Sequence, residues 1–388
     1  MTEIKYESLR RLCSQFNKET LKQELRKEYQ PYIDHSQNVY IWGTGLLGRF
    51  TYKQLKHSAI LRERGGVIAF IDNNKNLAGT LIDNVPVINP DMVNTNDLII
   101  VCSRSFREIE KQIERTLSNQ CLYCQILQFL DDGLKEWNGD KALLDSLGNL
   151  DVYRENYKRI FQKCADETSK EVVDCILNYR FTMKSAWIQK AYDRTNENGD
   201  GVEYFDSGVV EPQNGEVFVD CGGYIGDTVL AFLNFTGGIY KKIYYFEPSM
   251  VLYNKAKENL KDVRDVIFTP AGVGEKAGVL SFAGAGQDDF GHIDEDGTES
   301  VDIVALDEIV ADQPTFIKMD IEGAELSALK GAAELIKKSR PKLAICVYHK
   351  SEDLFEILEL IDSWQLNYKY YFRHYTKGFS GTILYCIP

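Results

Sequence analysis

The chain has 388 residues, 44% of them hydrophobic, and carries a formal net charge of −13. That is enough chain to bury the cores of two domains, and the acidic balance leaves no basic footprint for nucleic acid or an anionic membrane surface. No apolar run approaches about 18 residues and the charged amino terminus lacks a signal-like apolar core, so no membrane span is expected and the expected location is the cytoplasm.

Residues 1–37 read as an amphipathic helical arm, because Leu9, Leu12, Phe16, Leu21 and Leu25 recur at helical spacing before Pro31 interrupts. From 38 to 129, short apolar runs at Val39–Trp42, Val67–Ile71 and Leu98–Cys102 alternate with helical patterns, the mark of a small parallel α/β unit. Its GTGLLG places Gly43, Gly45 and Gly48 after the first strand, and Asp72 ends the second, which is the outline of a dinucleotide fingerprint. The unit is short for a complete dinucleotide domain. With FIDNNKNLAGTLIDNVPVINP and DLIIVCS it resembles the small Rossmann-like modules found beside sugar-modifying transferases, which implies a nucleotide or nucleotide-sugar ligand or a plain packing unit. Cys121 and Cys124 have the spacing of half a zinc or redox site, but no second pair follows, and the nine cysteines are expected as reduced thiols. Residues 130–200 form a helical linker or cap that ends in the polar run RTNENGDG.

From 201 to 388 strands and helices alternate more fully. Strands are expected at Val217–Asp220, Ile243–Phe246, Val266–Thr269, Phe316–Asp320, Leu343–Val347, Tyr368–Phe372 and Thr382–Cys386, with an extra hairpin from Val279–Phe282 and Val301–Val304. The last two lie close in sequence, which suggests a parallel sheet closed by an antiparallel edge. In such sheets ligands sit beyond the carboxyl ends of the strands, where glycines let the backbone come close. Gly222, Gly223 and Gly226 occupy that place in FVDCGGYIGDT, flanked by Asp220 and Asp227. A phosphate site would avoid flanking carboxylates. Acidic neighbours suit a cationic, hydroxyl-rich ligand such as the amino group and ribose of S-adenosylmethionine. Glu247, at the end of IYYFE, is placed to accept two ribose hydroxyls or, alternatively, to cap the helix after Pro248.

The runs EVFVDCGGYIGDT, YYFEPS, PAGVG, VDIVALDEIV, FIKMDIEGAELSALKGA and PKLAICVYHKSEDLFEI, in this order, resemble the FkbM-type family of S-adenosylmethionine-dependent methyltransferases. The likeness covers about residues 165–388. KMDIEGAE is its most specific part, and the closing RHYTKGFSGTILYCIP resembles members linked to polysaccharide biosynthesis. It implies an α/β fold in which a C-terminal seven-stranded, Rossmann-like class I methyltransferase sheet with an antiparallel edge joins the smaller N-terminal Rossmann-like domain. It also implies S-adenosylmethionine as cofactor, with contacts from Asp220, Gly222, Gly226 and Glu247, Ala271 and Gly272 near the adenine, and Asp320 at the tip of the fourth strand. Their neighbours Gly223, Tyr224, Asp227, Thr228 and Pro248 complete the expected cofactor set. Tyr224 departs from the small or apolar residue usual in that turn, and either packs there or offers a π face to the sulfonium.

Transfer of an activated methyl group needs an aligned acceptor oxygen and a proton acceptor. Asp320, Glu322 and His349 follow strands four and five and are the candidate catalytic residues, with His374 a weaker rival. Asp320, Glu322 and Glu325 are of the kind a hard cation takes, but the resemblance requires none, so no metal is expected. The expected activity is O-methylation of a sugar hydroxyl or related small biosynthetic acceptor. Competing readings are nucleotide-sugar binding or NAD-dependent redox chemistry at the N-terminal domain, and a noncatalytic scaffold in glycan assembly. The expected partners are a small-molecule or carbohydrate acceptor, a nucleotide-sugar at the N-terminal domain, and further copies of the chain in a homo-oligomer. The acidic segment 283–300, with Asp288, Asp289 and His292, is either a loop that meets the acceptor or a solvated charge run.

Overall fold

A computed structural model describes residues 5–56, 58, 66–94, 96–103, 106–117, 119–130, 149–197, 201–283, 292–293 and 299–388. Most of the acidic segment, including Asp288 and Asp289, lies outside the described residues, as do 131–148. The chain divides into two compact units, one of residues 1–154 with 175–189 and one of 155–174 with 190–388. No described helix is long and apolar enough to cross a membrane.

Among the described residues the first unit holds six strands: β1 (Val39–Trp42), β2 (Val67–Ile71), β3 (Leu81–Ile82), β4 (Val85–Ile88), β5 (Leu98–Val101) and β6 (Cys121–Tyr123), in the order β3-β4-β2-β1-β5-β6. All neighbours are parallel except β3 with β4. β1 and β5 read as unbroken apolar runs because both their faces are buried, as expected inside a parallel sheet. A helix at Lys18–Asp34 precedes the sheet, opened by a capping box between Asn17 and Thr20. Pro31 was expected to stop it, yet the helix runs past. Proline there removes one hydrogen bond near the helix end, while Leu21, Leu25, Tyr29 and Ile33 keep the apolar stripe buried through the last turn.

The second unit is built on β7 (Val217–Cys221), β8 (Lys242–Phe246), β9 (Val266–Thr269), β14 (Phe316–Met319), β15 (Lys342–Cys346), β16 (Lys369–His374) and β17 (Thr382–Ile387), in the order β16-β17-β15-β14-β7-β8-β9. β17 runs antiparallel between β15 and β16, and the other pairs are parallel. The fold is therefore α/β, with a seven-stranded Rossmann-like sheet that has an antiparallel edge in the second unit and a smaller sheet in the first. The expected hairpin is part of a second, four-stranded sheet ordered β10-β13-β11-β12, made of β10 (Gly272–Val273), β11 (Gly278–Ala283), β12 (His292–Ile293) and β13 (Glu299–Val304).

Aromatic packing fixes the main sheet. Phe218 stacks on Phe232 with centroids 4.4 Å apart, and Phe205 and Phe316 meet the same cluster edge-on. At the start of the central strands, fully buried Glu216 pairs with Lys342 and accepts from Thr315. This polar clamp ties together the segments leading into β7, β14 and β15, and with them the opposite strand ends.

Candidate active site

The chain leaves β7 through a turn in which the amides of Gly222 and Gly223 both donate to Phe246 O at 3.0 Å. Gly222 has φ +76°, and a Cβ there would stand 1.9 Å from the Asp320 carbonyl oxygen, so no side chain fits. Tyr224 takes a left-handed φ of +49°, held by its amide donating to Glu247 Oε2 at 3.1 Å and its carbonyl accepting from Tyr245 OH at 2.6 Å. The second oxygen of Glu247 accepts from Ser249 N at 2.8 Å. Two backbone amides thus aim a carboxylate across the end of the sheet. Burial raises the Glu247 carboxyl to about 7, against the two amide bonds and Lys318.

These groups border a cavity of about 320 Å³. Of the expected cofactor set, Gly222, Tyr224, Asp227, Thr228, Glu247, Pro248, Ala271, Gly272 and Asp320 line it, and so does Glu322. One wall is apolar, made by Leu252, Val273, Val301 and Ile303 together with Pro248. Gly223, Gly226 and His349 are not among the lining residues, and Gly226 instead opens the helix Asp227–Phe235 with φ +86°.

Asp220 lies beneath the turn, fully buried, and does not line the cavity. It stands in register with Lys318 on the neighbouring strand, and the two pair at 3.2 Å. Burial raises the Asp220 carboxyl to about 6, partly opposed by that ammonium. Burial likewise works against charge on Lys318, but Asp220 and Asp320 outweigh it and keep it protonated. Lys318 also donates to Gly222 O at 2.6 Å, so the pair braces the glycine turn from below.

At the tip of β14, Asp320 accepts from Tyr204 OH at 2.7 Å and Tyr348 OH at 3.3 Å. Burial pushes its carboxyl up, but Lys318 and His349 win and hold it below the ordinary value. His349 presents Nε2 to Asp320 and Glu322, each at 3.5 Å, and Nδ1 to Glu325 at 2.9 Å. Burial alone would lower the imidazole, but these carboxylates raise it to about 9. His374, the rival base, is fully buried between Thr382 Oγ1 and Gly378 O, both at 2.9 Å, and burial lowers it to about 4.

Glu203, Tyr204 and Lys318 also line the cavity and were not anticipated. Lys318 left a signal, a lysine inside the apolar run FIKM opposite an aspartate on a paired strand. Glu203 left none, since it lies in an irregular stretch before β7; burial and then Asp320 raise its carboxyl to about 7.

In the first unit, Gly43 has φ +124° and its amide donates to Ile71 O at 3.0 Å. A Cβ on Gly48 would stand 1.9 Å from Gly43 O, so this glycine lets helix and turn pack, whereas Gly45 faces open space. Asp72 accepts from Thr44 Oγ1 at 2.5 Å and from Asn74 N at 2.8 Å, which engages both carboxylate oxygens within the protein. Burial raises the Cys121 thiol to about 12, and Cys124 is raised by burial as well, so both are protonated thiols.

The strand order and the glycine turn facing an acidic strand end define a class I methyltransferase fold. Residues 220–370 match the family model described as the methyltransferase FkbM domain, and the chain carries that domain. Residues 35–120 match a second family, C2185-like, N-terminal. The methyltransferase FkbM of Methylobacillus flagellatus KT is 25% identical over 95% of this chain and 98% of its own, with a TM-score of 0.70. An rRNA methylase of Streptococcus thermophilus (18% identical, 47% of this chain and 90% of its own, TM-score 0.31) and the fibrillarin of Aeropyrum pernix, crystallised with natively bound S-adenosyl-L-methionine (9% identical, 45% and 67%, TM-score 0.30), are remoter likenesses on which nothing below rests. No curated protein matches the chain.

Proposed function

We propose that the protein is an S-adenosylmethionine-dependent methyltransferase acting on oxygen, its acceptor a sugar hydroxyl or a related small molecule of polysaccharide biosynthesis. The observation that carries the reading is Glu247, aimed by two backbone amides into a cavity with one apolar wall and an acidic end, inside an FkbM-type domain. These residues suit the cofactor in kind. Each oxygen of Glu247 keeps acceptor capacity for a ribose hydroxyl, the apolar wall offers a face to adenine, and Glu203, Asp227 and Asp320 favour a cationic end.

Bound there, S-adenosylmethionine supplies a methyl group already activated on a sulfonium. The chain's part is to orient, to exclude water and to take a proton. His349 already carries a proton near neutral pH, which suits it to stabilising neighbouring carboxylates rather than to starting as the base. Proton acceptance falls to Asp320 or Glu322, the two carboxylates of this cluster that line the cavity. Asp320 is held ionised and fixed by two tyrosines, and Glu322 is the more exposed of the two. For the N-terminal module a nucleotide or nucleotide-sugar ligand is the corresponding proposal, with Gly45 as the open backbone position.

Calorimetric titration separates these readings. S-adenosylhomocysteine is expected to bind the folded protein with one site per chain and NAD is expected not to. A folded protein that takes NAD but no S-adenosylhomocysteine would reverse the assignment, and comparison of glycans and metabolites by mass spectrometry in cells with and without the enzyme then identifies the acceptor.

A further inference from the structure

We propose that Asp320, Glu325 and His349, with Glu322 at their edge, bind one divalent cation of the borderline kind that accepts an imidazole beside carboxylates, Mn²⁺ or Zn²⁺. Asp320, Glu325 and His349 each offer a ligand atom, and these atoms all lie within 4.8 Å of one another. Ligands at about 2.1 Å from a shared cation stand roughly 3–4 Å apart, so a contraction of at most about 1–2 Å closes the site.

Two further observations point to an occupant. Glu325 is fully buried, and its Oε2 has no hydrogen-bond partner among the described residues. His349 Nδ1 is buried 2.9 Å from Glu325 Oε1, yet no aligned hydrogen bond forms there. A buried carboxylate oxygen left unpaired is costly. On binding, the imidazole gives up the proton it carries near neutral pH, and one of its ring nitrogens joins a carboxylate oxygen each of Asp320 and Glu325 as ligand. The donors are also held in place: Tyr204 and Tyr348 orient Asp320, and Ile321 N donates to Glu325 Oε1 at 2.9 Å, the kind of outer contact that steadies metal ligands. One nitrogen and two or three carboxylates favour Mn²⁺ or Zn²⁺ over Mg²⁺, which prefers oxygen alone. The cation would adjoin the cavity wall formed by Asp320 and Glu322.

The test uses the full chain, stripped with a chelator and titrated with Mn²⁺ while the electron paramagnetic resonance signal of the free ion is followed, with Zn²⁺ and Mg²⁺ as competitors. One equivalent of Mn²⁺ should disappear from the free signal, Zn²⁺ should displace it and Mg²⁺ should do so poorly. Glu325→Gln and His349→Gln should each weaken uptake at least about tenfold, with circular dichroism verifying the fold and Asp320→Asn replacing either variant that fails to fold. Wild-type protein that leaves Mn²⁺ free at millimolar concentration and ignores Zn²⁺ overturns the proposal. So does uptake unchanged in folded variants, which would trace it to the acidic surface. The readout does not depend on S-adenosylhomocysteine binding.

Discussion

Replacing Glu247 with glutamine should move stability and binding in opposite directions at high pH. The carboxyl is 6% exposed and titrates near 7 in the folded chain against an ordinary 4.5, chiefly through burial. A folded value above the unfolded one means that the favourable contribution is fully present below about 4.5 and lost as pH rises through 7. A rise of that size corresponds to about 3 kcal/mol. Glutamine cannot ionise and escapes the loss, but its single carbonyl oxygen cannot serve both Tyr224 N and Ser249 N, at a cost of about 1–2 kcal/mol. The variant should therefore be the less stable protein at pH 5 by up to about 1 kcal/mol, since part of the wild-type contribution is already lost there, and the more stable one at pH 9 by about 1–2 kcal/mol, a crossing of melting curves by a few degrees. Affinity for S-adenosylhomocysteine at pH 8 should fall about tenfold, as expected for a lost charged hydrogen bond. Thermal denaturation from pH 5 to 9 and calorimetry at pH 8 provide both readings. A destabilisation of equal size at both pH extremes would refute the argument, because the ionised carboxylate would then carry no burial penalty.

Two other perturbations act on the supports of the site. Glu216→Ala leaves Lys342 buried without its counter-charge and Thr315 Oγ1 with only the longer bond to Val217 O at 3.3 Å, so it should cost about 3–5 kcal/mol in denaturant unfolding of the second unit; a change under about 1 kcal/mol would show that the clamp is solvated. Gly222→Ala puts a methyl group at φ +76° against the Asp320 carbonyl, which should cost at least about 1–3 kcal/mol and abolish calorimetric binding of S-adenosylhomocysteine; wild-type affinity and melting in that variant would mean that the turn relaxes freely.

How much of the site could be read from the sequence follows from which physical rule each residue obeys. Gly222 and Glu247 were legible because local rules place them: glycine is required where backbone meets backbone, and the residue that follows a buried apolar strand emerges at the ligand end of the sheet. The seven strands were legible for a similar reason, since central parallel strands are unbroken apolar runs between turn residues. Asp220 obeys a different rule. It belongs to the same strand end, but it faces Lys318 across the β7–β14 register and is closed off from the cavity. Which side of the turn it serves is a property of two strands whose paired residues are 98 apart in the chain (318 − 220), and no window along the sequence contains it. His349 shows the same limit in its chemistry. Its position after β15 was readable, but its proton is set by carboxylates at 320, 322 and 325 that reach it only when β14 and β15 lie side by side. Strand ends could be ranked from the sequence as candidate bases, whereas the charge each one holds is decided by the neighbour that the sheet brings to it.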